Sequence, residues 1–408
     1  MNFLVFSDDW GVHPSSCQHI FRILSRKHPT VWVNTIGMRR PRLSAGDAKK
    51  ALLKVSRMLA GGQPRVRASG NDAQSGAAVT EFSGSGAPGG RVATATATTG
   101  CGVTVCAPPM LPFRRPRAVA RWNDRSVEHT VRRALADRDL DDVCLVTTVP
   151  NIHGAVQKLG ATSVVYYCVD DFSEWPGMNR DAILDMESRL LPTVDKAVCT
   201  SRALYDRFES QIPTWLLTHG VDVERFAACS LPGNVHPCLA SIPEPRVGYF
   251  GLLDERTDRD LVEQVARTMP HISFVFTGPV EGRLRSLRAL PNIHLTGSVP
   301  YDDLPSIVRG WRACLLPYRI NALTEKINPL KLKEYLASGK PVLSTPLPEA
   351  VRLSDHLRIS ASVVEWCNEI ESMVRGDRNV STAGTRDYLA GESWQNKAEE
   401  LLRICEST

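Results

Sequence analysis

The sequence predicts an α/β protein built from two consecutive doubly wound domains that face each other across a cleft. Three observations carry this. Short, near-continuous apolar runs alternate with amphipathic stretches along most of the chain, the pattern of parallel strands covered by helices on both faces. The alternation stops at residues 227–245, AACSLPGNVHPCLASIPEP, where proline and small residues mark a linker, and then begins afresh. At 408 residues, 43% hydrophobic and 23% charged, the chain is also too long for one compact core.

The first domain is expected over 1–226. NFLVF (2–6) reads as a strand, and the loop SDDWGVHPSS leads into a helix whose apolar positions Ile20, Ile23 and Leu24 recur at helical spacing, with Ser15 or Ser16 as N-cap. VWVN (31–34) is a second strand. Residues 61–100 are dominated by Gly, Ala, Ser and Thr and predict a mobile loop, with a strand near 103–106. Strands VCLVTT (143–148), VVYYCV (164–169), KAVCTS (196–201) and WLLTHG (215–220) follow, separated by helices from about 152, near 179–190 and up to about 209. The second domain, 246–390, has strands RVGYFG (246–251), ISFVFTG (272–278), NIHLTG (292–297), ACLLPY (313–318), PVLST (341–345) and LRISAS (357–362). Helices are expected at 257–268, from Tyr301, near 363–374 and at 394–404, and the stretch 391–408 has the option of crossing back to the first domain.

The net charge of +5 is modest, but basic residues crowd 39–57 and 114–125. Solvated helix faces, an anionic membrane surface and an anionic substrate all fit; nucleic acid fits least, and none is expected as a partner. The 11 cysteines are scattered, with Cys144, Cys168 and Cys199 inside apolar runs, which favours reduced thiols in a cytoplasmic protein over a disulfide framework. Cys101 and Cys106 lack a matching pair elsewhere, so no metal site is expected. The first residues read as a strand and not as a signal peptide, and no run of roughly 18 apolar residues occurs. Location is therefore expected to be cytoplasmic, with peripheral contact at the inner face of the membrane as an option.

Residues 328–349, NPLKLKEYLASGKPVLSTPLPE, stand apart. Asn328 and Pro329 suit an N-cap and first helical position, leaving the amides of Leu330 and Lys331 to meet an anion. Lys331 and Glu334, at i and i+3, share a face. A cation beside a helix start with a carboxylate one turn deeper can hold a diphosphate and a ribose diol together; a surface salt bridge is the plainer alternative. Gly339 and Pro341 end the helix and return the chain to a strand.

Together with HGVDVERF (219–226), VGYFG (247–251), LPNIHLTGSVPYDDLP (290–305) and LLPYR (315–319), this stretch resembles the nucleotide-binding half of glycosyltransferase family 4, retaining enzymes with the GT-B fold. GYFGLLDER, VVYYCVDDFSEW and ESWQNKAEELL are most similar to a bacterial branch that builds exopolysaccharide and cell-surface glycans. The resemblance implies transfer of a sugar from a nucleotide-diphosphate donor to a glycan or lipid-linked acceptor, with no metal or other cofactor. Of the family's two glutamates spaced by seven residues, Glu334 matches the second, the ribose contact, whereas the first falls on Lys326 beside Glu325. The arginine and lysine that follow the family's glycine turn are Leu252 and Thr257 here. Beyond Gly251 at that turn, phosphate charge is therefore expected to meet Lys331, Lys326, Arg319 or Arg256.

On the acceptor side, Gly11 and His13 lie in the loop after the first strand, and Asp170 and Asp171 follow VVYYCV at its carboxyl end, where catalytic contact with an acceptor is expected. A backbone-satisfied loop histidine and helix-capping aspartates are the alternatives; His153 sits in the same layer. A retaining transfer of the family's type proceeds on one face of the sugar, the leaving diphosphate helping to accept the acceptor's proton, so that stabilising the diphosphate is the main task of the protein. An epimerase on the same fold and a non-catalytic nucleotide-binding scaffold stay open. A dehydrogenase does not, because no G-x-G-x-x-G follows either first strand.

Overall fold

The computed structural model describes residues 1–12, 15–35, 95–98, 102–111, 117–282, 285–377 and 382–407. His13, most of the 61–100 stretch and the basic segment 39–57 lie outside the described residues. The chain divides into two compact units, Met1–Thr218 with Lys397–Thr408, and His219–Asn396.

The N-terminal unit is an eight-stranded sheet: β1 Asn2–Ser7, β2 Thr30–Asn34, β3 Ala95–Thr98, β4 Val103–Ala107, β5 Val143–Thr147, β6 Ser163–Cys168, β7 Lys196–Cys199 and β8 Thr214–Leu216. Their order is β3-β4-β2-β1-β5-β6-β7-β8. All pairings are parallel except β3 on β4, so the Ala/Thr stretch ATAT, expected to be loop, adds an antiparallel edge. Phe3, Leu4, Val5 and Phe6 of β1 are all fully buried, as a strand covered on both faces requires. Ser15 caps the first helix, Ser16–Leu24, by accepting from the Gln18 amide.

The C-terminal unit is a six-stranded parallel sheet: β9 Arg246–Phe250, β10 Ser273–Thr277, β11 Ile293–Gly297, β12 Ala313–Leu316, β13 Val342–Ser344 and β14 Arg358–Ile359, in the order β11-β10-β9-β12-β13-β14. In each sheet the first strand has neighbours from opposite directions of the winding, β1 between β2 and β5 and β9 between β10 and β12. These are the topological switch points, outside whose carboxyl ends ligands bind in doubly wound sheets.

Residues 219–245 pack within the C-terminal unit and do not form a separate linker. Phe226 stacks on Phe250 with ring centroids 5.9 Å apart, Leu239 is fully buried, and Ser230 donates to the Ser338 carbonyl at 2.9 Å. Arg309 donates to the carbonyls of Ala228, Leu231 and Asn234. Proline and small residues here shape tight turns against a core. Lys333, 2% exposed, donates to the His219 carbonyl and pairs with the Glu392 carboxylate, tying both ends of the unit to the helix Leu330–Ala337. Removing one partner of such a pair strands the other charge, so Lys333→Ala is expected to lower the unfolding free energy of the C-terminal unit by about 3 kcal/mol in urea titrations.

Candidate active site

β9 ends at Phe250 and runs into Gly251, whose φ of 122° lies where side chains are strained. A Cβ at this position would stand 2.1 Å from Cε of Lys331 and 2.8 Å from its Nζ. Lys331 therefore occupies the volume that the missing side chain leaves, directly at the switch point. It arrives from the helix Leu330–Ala337, which is fixed to the end of β9 by the Phe250 amide donating to the Tyr335 hydroxyl at 3.0 Å.

The Lys331 ammonium donates to the Tyr318 hydroxyl at 3.3 Å and lies 5.6 and 5.9 Å from the ring centroids of Tyr249 and Tyr318. Such cation–π contacts orient the charge without neutralising it. Arg256 reaches the same place from the loop after β9, its guanidinium 5.8 Å from the Tyr318 ring centroid while its Nε donates to Asp254 at 2.9 Å. Burial pushes the Tyr318 hydroxyl up, but Lys331 and Arg256 outweigh it and hold the group below its ordinary value. A locus where a buried phenol is easier to ionise is a locus that favours negative charge. The first amides of the helix add to it.

One turn deeper, Glu334 is 3% exposed and accepts a hydrogen bond from the Tyr301 hydroxyl at 2.7 Å. Tyr301 lies under the Arg225 guanidinium, 5.2 Å from its ring centroid, and Arg225 is held by Asp222 at 2.9 Å and by Asp302. Burial pushes the Glu334 carboxyl up to about 7, against the downward pull of the Tyr301 hydrogen bond and of Lys331. The group thus changes charge near neutral pH, and a donor arriving at the carboxylate would favour its ionised form.

The other expected residues are placed as follows. Asn328 does not cap the helix: Pro329 takes the cap position, and the Asn328 side chain donates through Nδ2 to the buried Glu349 carboxylate at 3.2 Å. Arg319 turns to Asp260, 2.5 Å away, and Asp258, with its side chain 45% exposed. The Lys326 amide donates to the Leu323 carbonyl in the loop before the helix. No site role follows from the sequence for Tyr249, Tyr301, Tyr318 or Arg225, although all four lie inside the motifs VGYFG, LPNIHLTGSVPYDDLP, LLPYR and HGVDVERF.

In the N-terminal unit the switch point lies between β1 and β5. Gly11, at φ 77°, donates its amide to Gln18 Oε1 at 2.9 Å. Gln18 Nε2 donates to Asp8 at 2.8 Å, and Ser7 and Ser15 donate to the same carboxylate. Burial raises the Asp8 pKa despite these bonds. Asp171, 3% exposed, accepts from the amide and hydroxyl of Ser173 and lies 3.5 Å from Arg207, which also pairs with buried Glu187. It caps the turn Phe172–Glu174, the alternative its position in the sequence already allowed. The Asp170 carbonyl accepts from the Phe172 amide at 3.1 Å. Among the described residues no group of three or more His, Cys, Asp or Glu could hold a metal ion.

The family model described as glycosyl transferases group 1 matches residues 244–375, which contain Gly251, Lys331 and Glu334. The C-terminal unit carries a glycosyltransferase domain. A putative teichuronic acid biosynthesis glycosyltransferase, TuaH, of Bacillus subtilis strain 168 is 26% identical over 281 residues, spanning 64% of this chain and 66% of that protein. Among solved structures, sucrose-phosphate synthase from Thermosynechococcus elongatus superposes with a TM-score of 0.66 at 12% identity, covering 99% of this chain and 98% of its own. Anabaena HepE, in complex with UDP and glucose, gives 0.62 at 12% identity, with 99% of each chain covered. At these identities the likeness is one of fold, and that fold is GT-B, carried here by two Rossmann-like units. Within the glycosyltransferase domain the turn at Gly251 and the helix of Lys331 and Glu334 make the carboxyl edge at the sheet's switch point.

The Glu334 pKa has a stability consequence of definite sign. Since the folded-state value, about 7, lies above the ordinary 4.5, this group favours the fold fully below pH 4.5, and its contribution is lost as pH rises to 7. Urea unfolding of the C-terminal unit at stepped pH should show wild type losing about 3 kcal/mol relative to Glu334→Gln across that window, with no further change above it.

Proposed function

We propose that the protein is a retaining glycosyltransferase that moves a sugar from a nucleotide-diphosphate donor to a glycan or lipid-linked acceptor in the synthesis of a bacterial cell-surface polysaccharide. The observation that carries the reading is Lys331 seated in the space of Gly251, with Glu334 buried one turn deeper on the same helix. The diphosphate would lie over Gly251, against the Lys331 ammonium and the first amides of the helix, with Arg256 behind Tyr318. Glu334 would accept the two ribose hydroxyls. TuaH, named for teichuronic acid biosynthesis, and the UDP complex of HepE support the surface-polysaccharide context and the nucleotide donor.

In the proposed reaction the acceptor oxygen forms its bond to the anomeric carbon on the face that the diphosphate leaves. The acceptor's proton passes to the departing diphosphate. Charge on that leaving group grows in the transition state, so fixed cations beside it lower the barrier more than they tighten the ground state. Lys331 and Arg256 take the part of the family's arginine and lysine, whose positions are Leu252 and Thr257 here. No metal is assigned a role, and turnover is expected to survive a chelator.

Calorimetric titration with UDP, GDP, ADP, dTDP and CMP tests the reading. One nucleotide should bind wild type, and Glu334→Ala should weaken it by about 1–3 kcal/mol, the range for losing a charged hydrogen-bond partner. Equal binding by both proteins would remove Glu334 from the donor site. In a separate test, Gly251→Ala, which displaces Lys331, should weaken the same nucleotide at least tenfold, or about 1.4 kcal/mol, while binding of the nucleoside without phosphates, measured at high concentration, stays unchanged.

A further inference from the structure

The helix Arg117–Ala136 of the N-terminal unit buries Asn123, Val127, Thr130, Val131 and Ala134 along one side. At 100° per residue the opposite arc carries Arg121, Arg125, Arg132 and Arg133 with Trp122, all exposed. Glu128 is drawn to Arg132 at 3.3 Å, and Arg133 lies 3.8 Å from Asp137. Among the described residues no acid pairs with Arg121 or Arg125. A solvated helix face ordinarily mixes signs along i, i+4 rows; this one keeps two arginines that have no acidic partner among the described residues, beside a tryptophan that is 41% exposed. On the buried side of the helix, Asn123 holds the preceding chain at Leu111 by reciprocal bonds of 2.8 and 2.9 Å. Ser126 holds the same strand of chain through the Pro109 carbonyl at 2.5 Å.

Arginines that can reach phosphates, next to an exposed indole, match the layering of a lipid surface, where charge lies outermost and amphipathic rings settle at the headgroup boundary. Among the described residues no helix is long and apolar enough to cross a membrane. We infer that this face of the helix docks on a bilayer containing anionic phospholipid, with Arg121 and Arg125 at the headgroup phosphates and Trp122 at the boundary with the acyl chains. The inference rests on the helix alone, so it stands or falls separately from the nucleotide site.

Flotation of the full-length protein with phosphatidylcholine vesicles, with and without phosphatidylglycerol, tests it at low and high salt. Binding is expected only with phosphatidylglycerol and should weaken as salt screens the phosphates. Replacing both arginines, Arg121→Gln with Arg125→Gln, should lower partitioning by about tenfold or more, and Trp122→Ala should lower the part that survives high salt. All three positions are exposed, and circular dichroism with nucleotide titration checks that each variant is folded. No flotation by wild type, or flotation unaffected by the arginine pair, would overturn the assignment. So would binding that dextran sulfate fully displaces and Trp122→Ala leaves intact, which would give the face to a soluble polyanion.

Discussion

A lysine ammonium fills the space that a side chain at position 251 would claim, and the arrangement of the C-terminal unit around its switch point follows from that one exclusion. Glycine is required twice over: Gly251 has the φ of 122° that turns the chain off β9, and any Cβ would strike Lys331. The neighbouring turn is equally tight, since a Cβ on Gly278 would stand 2.2 Å from the Gly251 carbonyl. Two backbones meet here without side chains between them, and the one side chain admitted is a cation. Among the described residues no carboxylate forms an ion pair with it; two phenol rings steer it, which leaves it available to a ligand while limiting its rotamers.

The two units treat their carboxylates differently, and the difference separates scaffold from candidate chemistry. In the N-terminal unit Asp171 is bound by Ser173 and lies beside Arg207, itself paired with Glu187, so its charge is consumed in shaping the chain after β6. Asp8 likewise organises the loop that carries Gly11 through Ser7, Ser15 and Gln18. Glu334 is buried too but has, among the described residues, a single neutral donor, Tyr301, which does not offset the burial that pushes its pKa up to about 7. A carboxylate left short of donors in a buried place is poorly stabilised by the protein alone, and it gains most from a ligand that brings hydroxyl groups.

Much of the sheet framework was legible in the sequence because buried parallel strands are near-continuous apolar runs: NFLVF, VVYYCV and ISFVFTG each became a strand within a residue or two of the expected ends. ATAT at 95–98 was not, since alanine and threonine in a low-complexity setting carry no apolar pattern and the strand owes its existence to the exposed edge of β4. The unit boundary at 218 rather than 226 was hidden for a similar reason: what draws residues 219–245 inward is Phe226 on Phe250 and Arg309 on three distant carbonyls, contacts that span up to 81 residues. Asn328 had the right type for a cap, but the helix starts one residue later, with Pro329 in the cap position, and the Asn328 side chain donates to Glu349, 21 residues on. Tyr301 meets Glu334 across 33 residues. A motif names the residues that a site needs at one stretch of chain; the partners that set their charge come from elsewhere.

Placing Lys331 and Glu334 on one helix has a mechanical consequence. They are separated by three residues, about 4.5 Å of rise, and the helix is clamped at its middle by Lys333 on Glu392 and the His219 carbonyl and two residues further along by Tyr335 on Phe250. Neither charge can shift without the other. A donor gripped by its diphosphate at one and its ribose at the other would be held at a fixed distance and tilt, so the energy of binding the nucleotide is converted into orientation of the sugar that leaves it. Lys333 matters to this through position alone: it touches no part of the proposed donor, yet its buried pair keeps the two groups that do in register. The same helix therefore has to be rigid for the reaction and polar for the ligand, and burial of the adjacent Lys333 and Glu334, each answered by a partner from outside the helix, meets both demands.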